Sequence, residues 1–197
     1  MFKKYLTFPK SGYVLEIGSG VSGPIYFVSK AGVTKIAIDP YLGILKIRSR
    51  HVEKIRSVGE YLPLRTGTID VIFLHNALDH AFRPRSVMEE SRRVSKGDVF
   101  ILARIFDRLV LMILGKLLSR FDHGHPNHLT ADGVLRLVSS CALQPRLVET
   151  YWGDHSKVPL LRLLRLGRIK RALSVLIQKR IVIVASPANR SEHNSAQ

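Results

Sequence analysis

The chain has 197 residues, of which 46% are hydrophobic, and a formal net charge of +16 from 31 Lys and Arg against 15 Asp and Glu. This length suits one domain with a buried core, so global disorder is excluded. The single cysteine, Cys141, excludes an intramolecular disulfide and a cysteine-rich metal cluster. The opening residues are too weakly apolar for a secretion signal, and no apolar run is long enough to span a bilayer, so a cytoplasmic location is expected.

Strand-length apolar runs alternate with longer helix-like stretches along the chain. This alternation is typical of βαβ units that build a parallel sheet. Strands are predicted at residues 13–17, 35–38, 71–74, 99–103, 146–150 and 181–185, and crossover helices at 24–31, 42–50 and 84–94.

A glycine-rich turn follows the first predicted strand, with Gly18, Gly20 and Gly23 just before Pro24. Glycines allow a sharp bend and a close backbone approach to a ligand, and the N–H groups of a following helix attract negative charge. The spacing matches the dinucleotide pattern G-x-G-x-x-G, but alone it is a weak signal.

Two acidic residues flank this turn. Glu16 precedes the first glycine, where a carboxylate would repel a pyrophosphate and attract a cationic amino-acid group. Asp39 ends the second predicted strand, where a carboxylate binds ribose hydroxyls. The alternatives are a solvated edge charge for Glu16 and a helix cap for Asp39. The combination with the glycines favours a cationic adenosine derivative and disfavours a dinucleotide oxidoreductase.

With these motifs the sequence resembles the small-molecule branch of the class I S-adenosylmethionine-dependent methyltransferases over about residues 11–104. Residues 14–20, 37–40, 59–63 with 68–80, and 89–96 are similar to successive family motifs in the correct order. The resemblance implies that Gly18, Ser19 and Gly20 hold the methionine portion of S-adenosylmethionine, that Glu16 lies near its ammonium and that Asp39 binds the ribose.

Two positions depart from the family pattern. Val58 stands where the family often has an acid for the adenine amino group, so Gly59 or Glu60 is expected to substitute. Gly97 and Asp98 replace a common Pro-Gly-Gly, which indicates a different turn. His75 is counted with the cofactor-binding residues as well as with the catalytic candidates.

The fold class implied is α/β, a Rossmann-like doubly wound sheet of seven strands, mainly parallel with an antiparallel last strand. One methyltransferase domain is expected over residues 1–186. Insertions at about 105–121 and 155–178 are expected to cover the acceptor side, and residues 187–197 to form a polar tail.

Candidate bases for methyl transfer to a hydroxyl are His75, Asp79 and His80, because the segment after the fourth predicted strand lies at the ligand-binding edge of such a sheet. A structural packing role is the alternative for His80. A second group of histidines lies within residues 121–128. A substrate-side loop with one functional histidine, His125, is favoured there over a metal site, because only Asp122 accompanies the histidines.

Basic residues concentrate near the carboxyl end, with eight between positions 155 and 180 and no acidic one. Residues 109–118 are apolar all round, and residues 160–171 set arginines against leucines. Three interpretations stay open: a cap over the active site, contact with a membrane or a lipid-linked substrate, and nucleic-acid binding. The last is less favoured because the basic segment lacks interleaved aromatic residues.

The sequence therefore predicts an S-adenosylmethionine-dependent methyltransferase that acts on an oxygen of a small-molecule, sugar or lipid-linked acceptor. The alternatives are an RNA-directed methyltransferase and a non-catalytic protein that binds an adenosyl ligand or a nucleic acid on the same fold. The oligomeric state is not predicted.

Overall fold

A seven-stranded sheet in the order β3-β2-β1-β4-β5-β7-β6 runs through the protein. The computed structural model describes residues 4–21, 23–29, 31–41, 43, 51–121, 125–152 and 178–188. The strands are β1 Gly12–Ile17, β2 Val33–Ile38, β3 Val52–Ile55, β4 Ile69–His75, β5 Ser95–Phe106, β6 Leu143–Trp152 and β7 Gln178–Pro187. The helices are α1 Pro84–Val94, α2 Arg108–Phe121 and α3 Ala131–Ser140, with a 3₁₀ turn at Pro24–Phe27.

The direction of the strands changes only at one end of the sheet. Strands β3, β2, β1, β4 and β5 pair in parallel, whereas β7 is antiparallel to both β5 and β6. The predicted sheet of seven strands, mainly parallel with an antiparallel last strand, is confirmed.

Alternate side chains of the strands build a hydrophobic core on each face of the sheet. Leu15 and Ile17 of β1 join the core on the face covered by α1 and α3. Val14 joins the opposite core, which includes Ile25 from the 3₁₀ turn. The crossovers from β1 to β2 and from β4 to β5 therefore cover opposite faces, as a doubly wound sheet requires.

The structure corrects several predicted elements. The crossover helix predicted at 24–31 is only the 3₁₀ turn, because the backbone becomes extended at Val28, whose side chain is buried in the core. Strand β3 was missed, because it is four residues long and two of them, Glu53 and Lys54, are charged. Helix α3 was also missed, although Thr130 caps it by accepting a hydrogen bond from the Gly133 N–H at 3.0 Å.

The remaining predictions agree with the structure, differ from it in their bounds, or lie partly outside the described residues. Helix α1 has the predicted bounds. In the insertion predicted at 105–121, Ile105 and Phe106 still belong to β5 and the rest is largely α2. The predicted helix 42–50, apart from Gly43, and the predicted insertion 155–178, apart from Gln178, lie outside the described residues. Of the predicted tail, Pro187 belongs to β7, and residues 189–197 lie outside the described residues.

Among the helices that the structure describes, none combines the length and the apolar character needed to cross a bilayer.

Candidate active site

A cavity of about 690 Å³ opens at the carboxyl ends of β1, β2 and β4. Open α/β sheets bind their ligands at this edge. Val58, Asn76 and Phe82 contribute to its wall. Most of the predicted site residues also line it, namely Gly18, Ser19, Gly20, Asp39, Gly59, Glu60, His75 and His80.

The glycine turn forms the floor of this cavity and needs glycine at two positions. Gly18 and Gly20 have φ angles of +72° and +51°, which strain other residues. A Cβ atom at Gly18 would also lie 2.8 Å from the Ala77 Cβ atom. The Gly18 N–H donates to the Ile38 carbonyl at 2.8 Å, so the turn is fixed to the end of β2.

The Glu16 carboxylate lies behind the cavity wall. Its side chain is fully buried, and the Ile25 N–H donates to Oε2 at 2.8 Å. Within the described residues Oε1 has no hydrogen-bond partner. Burial raises the pKa of Glu16 to about 8; the Ile25 hydrogen bond opposes the rise and the Asp39 carboxylate adds to it.

Gly23 separates this carboxylate from the cavity. A Cβ atom at Gly23 would lie 2.4 Å from Glu16 Oε2 and 2.6 Å from the Ser19 carbonyl oxygen. Gly23 itself lines the cavity. A larger residue at position 23 would clash with Glu16 and Ser19, so glycine is what lets the backbone run between the buried carboxylate and the cavity.

Asp39 connects the glycine turn to the end of β2. Its Oδ2 accepts a hydrogen bond from the Gly20 N–H, and its Oδ1 accepts one from the Tyr41 N–H, both at 2.8 Å. A carboxylate has four lone-pair positions, so each oxygen can still accept a hydrogen bond from a ligand.

Glu60 has a structural partner in addition to its place in the cavity wall. Its Oε1 accepts a hydrogen bond from the Arg83 N–H at 3.0 Å, where α1 begins. Gly59 lies between packed side chains, since a Cβ atom there would be 2.8 Å from Ile17 Cγ2. At this position only backbone atoms therefore face the cavity.

The loop that carries Gly59 and Glu60 is held by a pair of charges that the sequence analysis missed. Glu90 Oε2 accepts a hydrogen bond from the Leu62 N–H at 2.7 Å, and Arg93 Nη2 donates to the Leu62 carbonyl at 3.0 Å. Glu90 and Arg93 also form an ion pair at 2.6 Å. The sequence signal for this pair was the spacing of three residues, which places Glu90 and Arg93 on the same side of α1.

His75 ends β4 and lines the cavity. Burial lowers the pKa of this imidazole, and the Arg180 guanidinium lowers it further. His75 is therefore largely neutral near pH 7, the form that accepts a proton. Asn76 follows with a φ angle of +51° and turns the chain toward Asp79.

His125 lies beside Asp79 and His80 although it is distant from them in the sequence. The His80 and His125 ring centroids are 4.4 Å apart. Asp79 is buried, and Arg104 Nη2 donates to its Oδ2 at 2.9 Å. Arg104 was missed; its signal was a single charge in the apolar run of β5. His123 lies outside the described residues, and the His128 ring packs against Phe106.

Comparison with known proteins gives the same fold and a family match over part of the chain. Residues 15–103 match the family model described as a methyltransferase domain. No curated protein matches the chain in sequence. Among solved structures, a candidate methyltransferase from Bacillus halodurans C-125 is 15% identical, with a TM-score of 0.75 over 94% of this chain and 97% of that chain. The YcgJ protein of Bacillus subtilis is 18% identical, with a TM-score of 0.73 over 93% and 95%.

A third similar structure is geranyl diphosphate C-methyltransferase from Streptomyces coelicolor A3(2), in complex with Mg²⁺, geranyl diphosphate and S-adenosyl-L-homocysteine. It is 14% identical, with a TM-score of 0.72 over 91% of this chain and 74% of that chain. The family match includes the glycine turn, Asp39 and the end of β4. Residues 15–103 therefore resemble a methyltransferase domain, and the sheet they help to build has the fold of these solved structures.

Proposed function

We propose that the protein methylates a hydroxyl oxygen of a small-molecule, sugar or lipid-linked acceptor. The observation that carries this proposal is one cavity that brings two groups of residues together. The glycine turn and Asp39 line it, and so do the imidazoles of His75 and His80. A methyl donor and a hydroxyl with its base need such an arrangement.

The glycine turn and the two acidic residues near it fit S-adenosylmethionine. The buried Glu16 carboxylate, with Oε1 unpartnered among the described residues, lies one glycine away from the cavity and suits a ligand ammonium. Asp39, held by Gly20 and Tyr41, suits the ribose hydroxyls. Gly18, Ser19 and Gly20 would contact the methionine portion, and the Gly59 backbone would contact the adenine.

The cofactor supplies an activated methyl group when bound, so the protein has to align the acceptor and remove its proton. Alignment alone is worth up to about 7–11 kcal/mol in favourable systems. His75 is the preferred base because it lines the cavity and its lowered pKa keeps it neutral. General base catalysis contributes about 10²–10⁴-fold. The further candidates are His80, which also lines the cavity, and Asp79 and His125, which lie beside His80.

We further propose that a lipid-linked acceptor reaches the protein at a membrane surface. Helix α2 follows β5 at the cavity edge of the sheet and exposes Leu109, Met112 and Ile113. Lys116 and Arg120 are exposed on the same helix. An apolar stripe with cations favours an anionic bilayer. Nucleic acid stays the second candidate, because the net charge is +16.

The experiment is incubation of the protein with methyl-labelled S-adenosylmethionine and separated cell fractions. We expect label in a small-molecule, glycan or lipid fraction as an O-methyl group, identified by mass spectrometry. We also expect His75→Gln to slow the transfer about 10²–10⁴-fold, and His51→Gln, at an exposed position, to leave it unchanged. Label confined to RNA would overturn the acceptor class, and cofactor binding without any labelled product would favour the non-catalytic alternative.

A further inference from the structure

Three side chains with metal-binding atoms meet beside the cavity. Asp79 and His80 follow β4, whereas His125 precedes α3. One ligand atom from each residue lies within 4.8 Å of those of the other two. The sequence places Asp79 and His80 side by side but gave no reason to group His125 with them.

The backbone around these residues keeps the two segments together. The Asn127 N–H donates to the Asp79 carbonyl at 3.3 Å, and Asn127 Nδ2 donates to the Ala81 carbonyl at 2.6 Å. The Phe106 N–H donates to the Leu129 carbonyl at 2.8 Å and anchors the same segment to β5. The approach of His125 to His80 is therefore a property of the fold.

Asp79 supplies the strongest indication of a ligand. Its side chain is 2% exposed, and Arg104 binds only Oδ2. Within the described part of the chain the other oxygen, Oδ1, is buried without a hydrogen-bond partner. A buried carboxylate oxygen without a partner costs free energy, which a bound cation would recover. Arg104 holds the carboxylate in one orientation, as outer partners of metal ligands do.

We propose that Asp79, His80 and His125 bind one divalent transition-metal ion. Two imidazole nitrogens and one carboxylate oxygen favour Zn²⁺, Co²⁺ or Fe²⁺ over Mg²⁺ and Ca²⁺, which prefer oxygen ligands only. Three protein ligands leave a coordination position open. Because His80 lines the cavity, a ligand from the cavity could reach that position. The site goes beyond the proposed function, and its use by an acceptor oxygen would rest on that function.

Closure around an ion requires a small movement. Ligands about 2.1 Å from a tetrahedral zinc ion lie about 3.4 Å apart, so ligand atoms that lie within 4.8 Å of one another need to approach by at most about 1.4 Å. His80 is exposed and His125 is half-buried. Both rings can therefore rotate toward Asp79 without displacing the core.

The test is a titration of the chelator-treated full chain with Co²⁺, without cofactor or acceptor, followed by visible absorption and calorimetry. We expect one Co²⁺ per chain with d–d bands, displaced by Zn²⁺. His80→Asn and His125→Asn should each weaken binding at least about tenfold, because each loses one of three ligands, whereas His51→Asn should bind as the wild type does.

The two histidine variants are preferred to Asp79→Asn, which would leave Arg104 without its carboxylate partner and could unfold the chain. Absence of d–d bands in the wild type, or wild-type binding by the His80→Asn and His125→Asn double variant, would overturn the proposal. Because the titration contains neither a methyl donor nor an acceptor, failure of the proposed methyl transfer would not affect its result.

Discussion

Glu16 is a fully buried carboxylic acid beside the glycine turn, so its ionisation depends on its surroundings. Burial raises its pKa to about 8, so it is mainly protonated at pH 7 before a ligand binds. An ammonium group on the other side of Gly23 favours the ionised form. Binding of a cationic ligand should therefore release a proton from Glu16.

This linkage predicts a pH-dependent affinity for S-adenosylmethionine. As the pH falls from about 7.5 to 5.5, below the pKa of about 8, the dissociation constant should rise by up to about tenfold per pH unit. Glu16→Gln should bind more weakly and lack this slope. Calorimetry in buffers of different ionisation enthalpy measures both the affinity and the released proton.

The raised pKa of Glu16 can also be checked independently in the ligand-free protein. A folded-state pKa raised from 4.5 to about 8 contributes stability below pH 4.5 that is lost as the pH rises toward 8. Thermal unfolding of the wild type should show this loss, and Glu16→Gln should not. Equal pH slopes for the two proteins would contradict the assigned pKa.

Individual site residues differ in how far the sequence could predict them. Glu16 and Gly18 lie within one short local pattern and Asp39 ends the next predicted strand, so the strand pattern and the family motifs were sufficient to group them. Arg104 and Asn127 act on residues about 25 and 48 positions away, respectively, along the sequence. Such contacts depend on the complete fold, and no local pattern identifies them.

Helix α2 is the element with the clearest exposed apolar surface. Leu109, Met112 and Ile113 are 65%, 75% and 70% exposed, and their spacing places them on one side of the helix. The neighbouring cations Lys116 and Arg120 complement an anionic headgroup layer.

We therefore expect the protein to bind vesicles that contain phosphatidylserine, and to bind less as the salt concentration rises. Met112→Ser combined with Ile113→Ser should lower the partition coefficient about tenfold or more, because two apolar side chains are lost. Vesicle flotation measures this, with Val148→Ser, an exposed apolar position on β6, as the matched control. Equal flotation of all three proteins would exclude α2 as the contact.

The elements that sequence patterns missed share one property, which is weak local information. Strand β3 has only four residues, of which one is buried. The crossover after β1 makes a single 3₁₀ turn before Val28, whose side chain is buried in the core. Helix α1, in contrast, has Pro84 at its start and an apolar stripe along one side, so its bounds were predictable.

Strand β7 connects β6 to the rest of the sheet, because it pairs with β5 along one edge and with β6 along the other. Ile183 is fully buried and pairs with Ile101 on one side and Val148 on the other. Ile183→Ala should lower the free energy of unfolding by about 2–5 kcal/mol, because it leaves a cavity in the core. Val148→Ala, at the paired but 44% exposed position, should cost less than about 1 kcal/mol.

Chemical denaturation at equilibrium measures both values. Similar losses for the two variants would show that the position of β7 in the sheet does not govern stability. The number of strands and the antiparallel last strand were predicted through the family resemblance, whereas strand alternation alone indicated only a parallel sheet.

The strand order also has a consequence for how the chain folds during synthesis on the ribosome. Strands β1 to β5 can assemble from segments made early, and with them the glycine turn and Asp39. Strand β6 is made before β7 yet contacts the sheet through it. The nascent chain must therefore keep the unpaired edge of β5 and the isolated β6 from aggregating until residues 178–187 emerge.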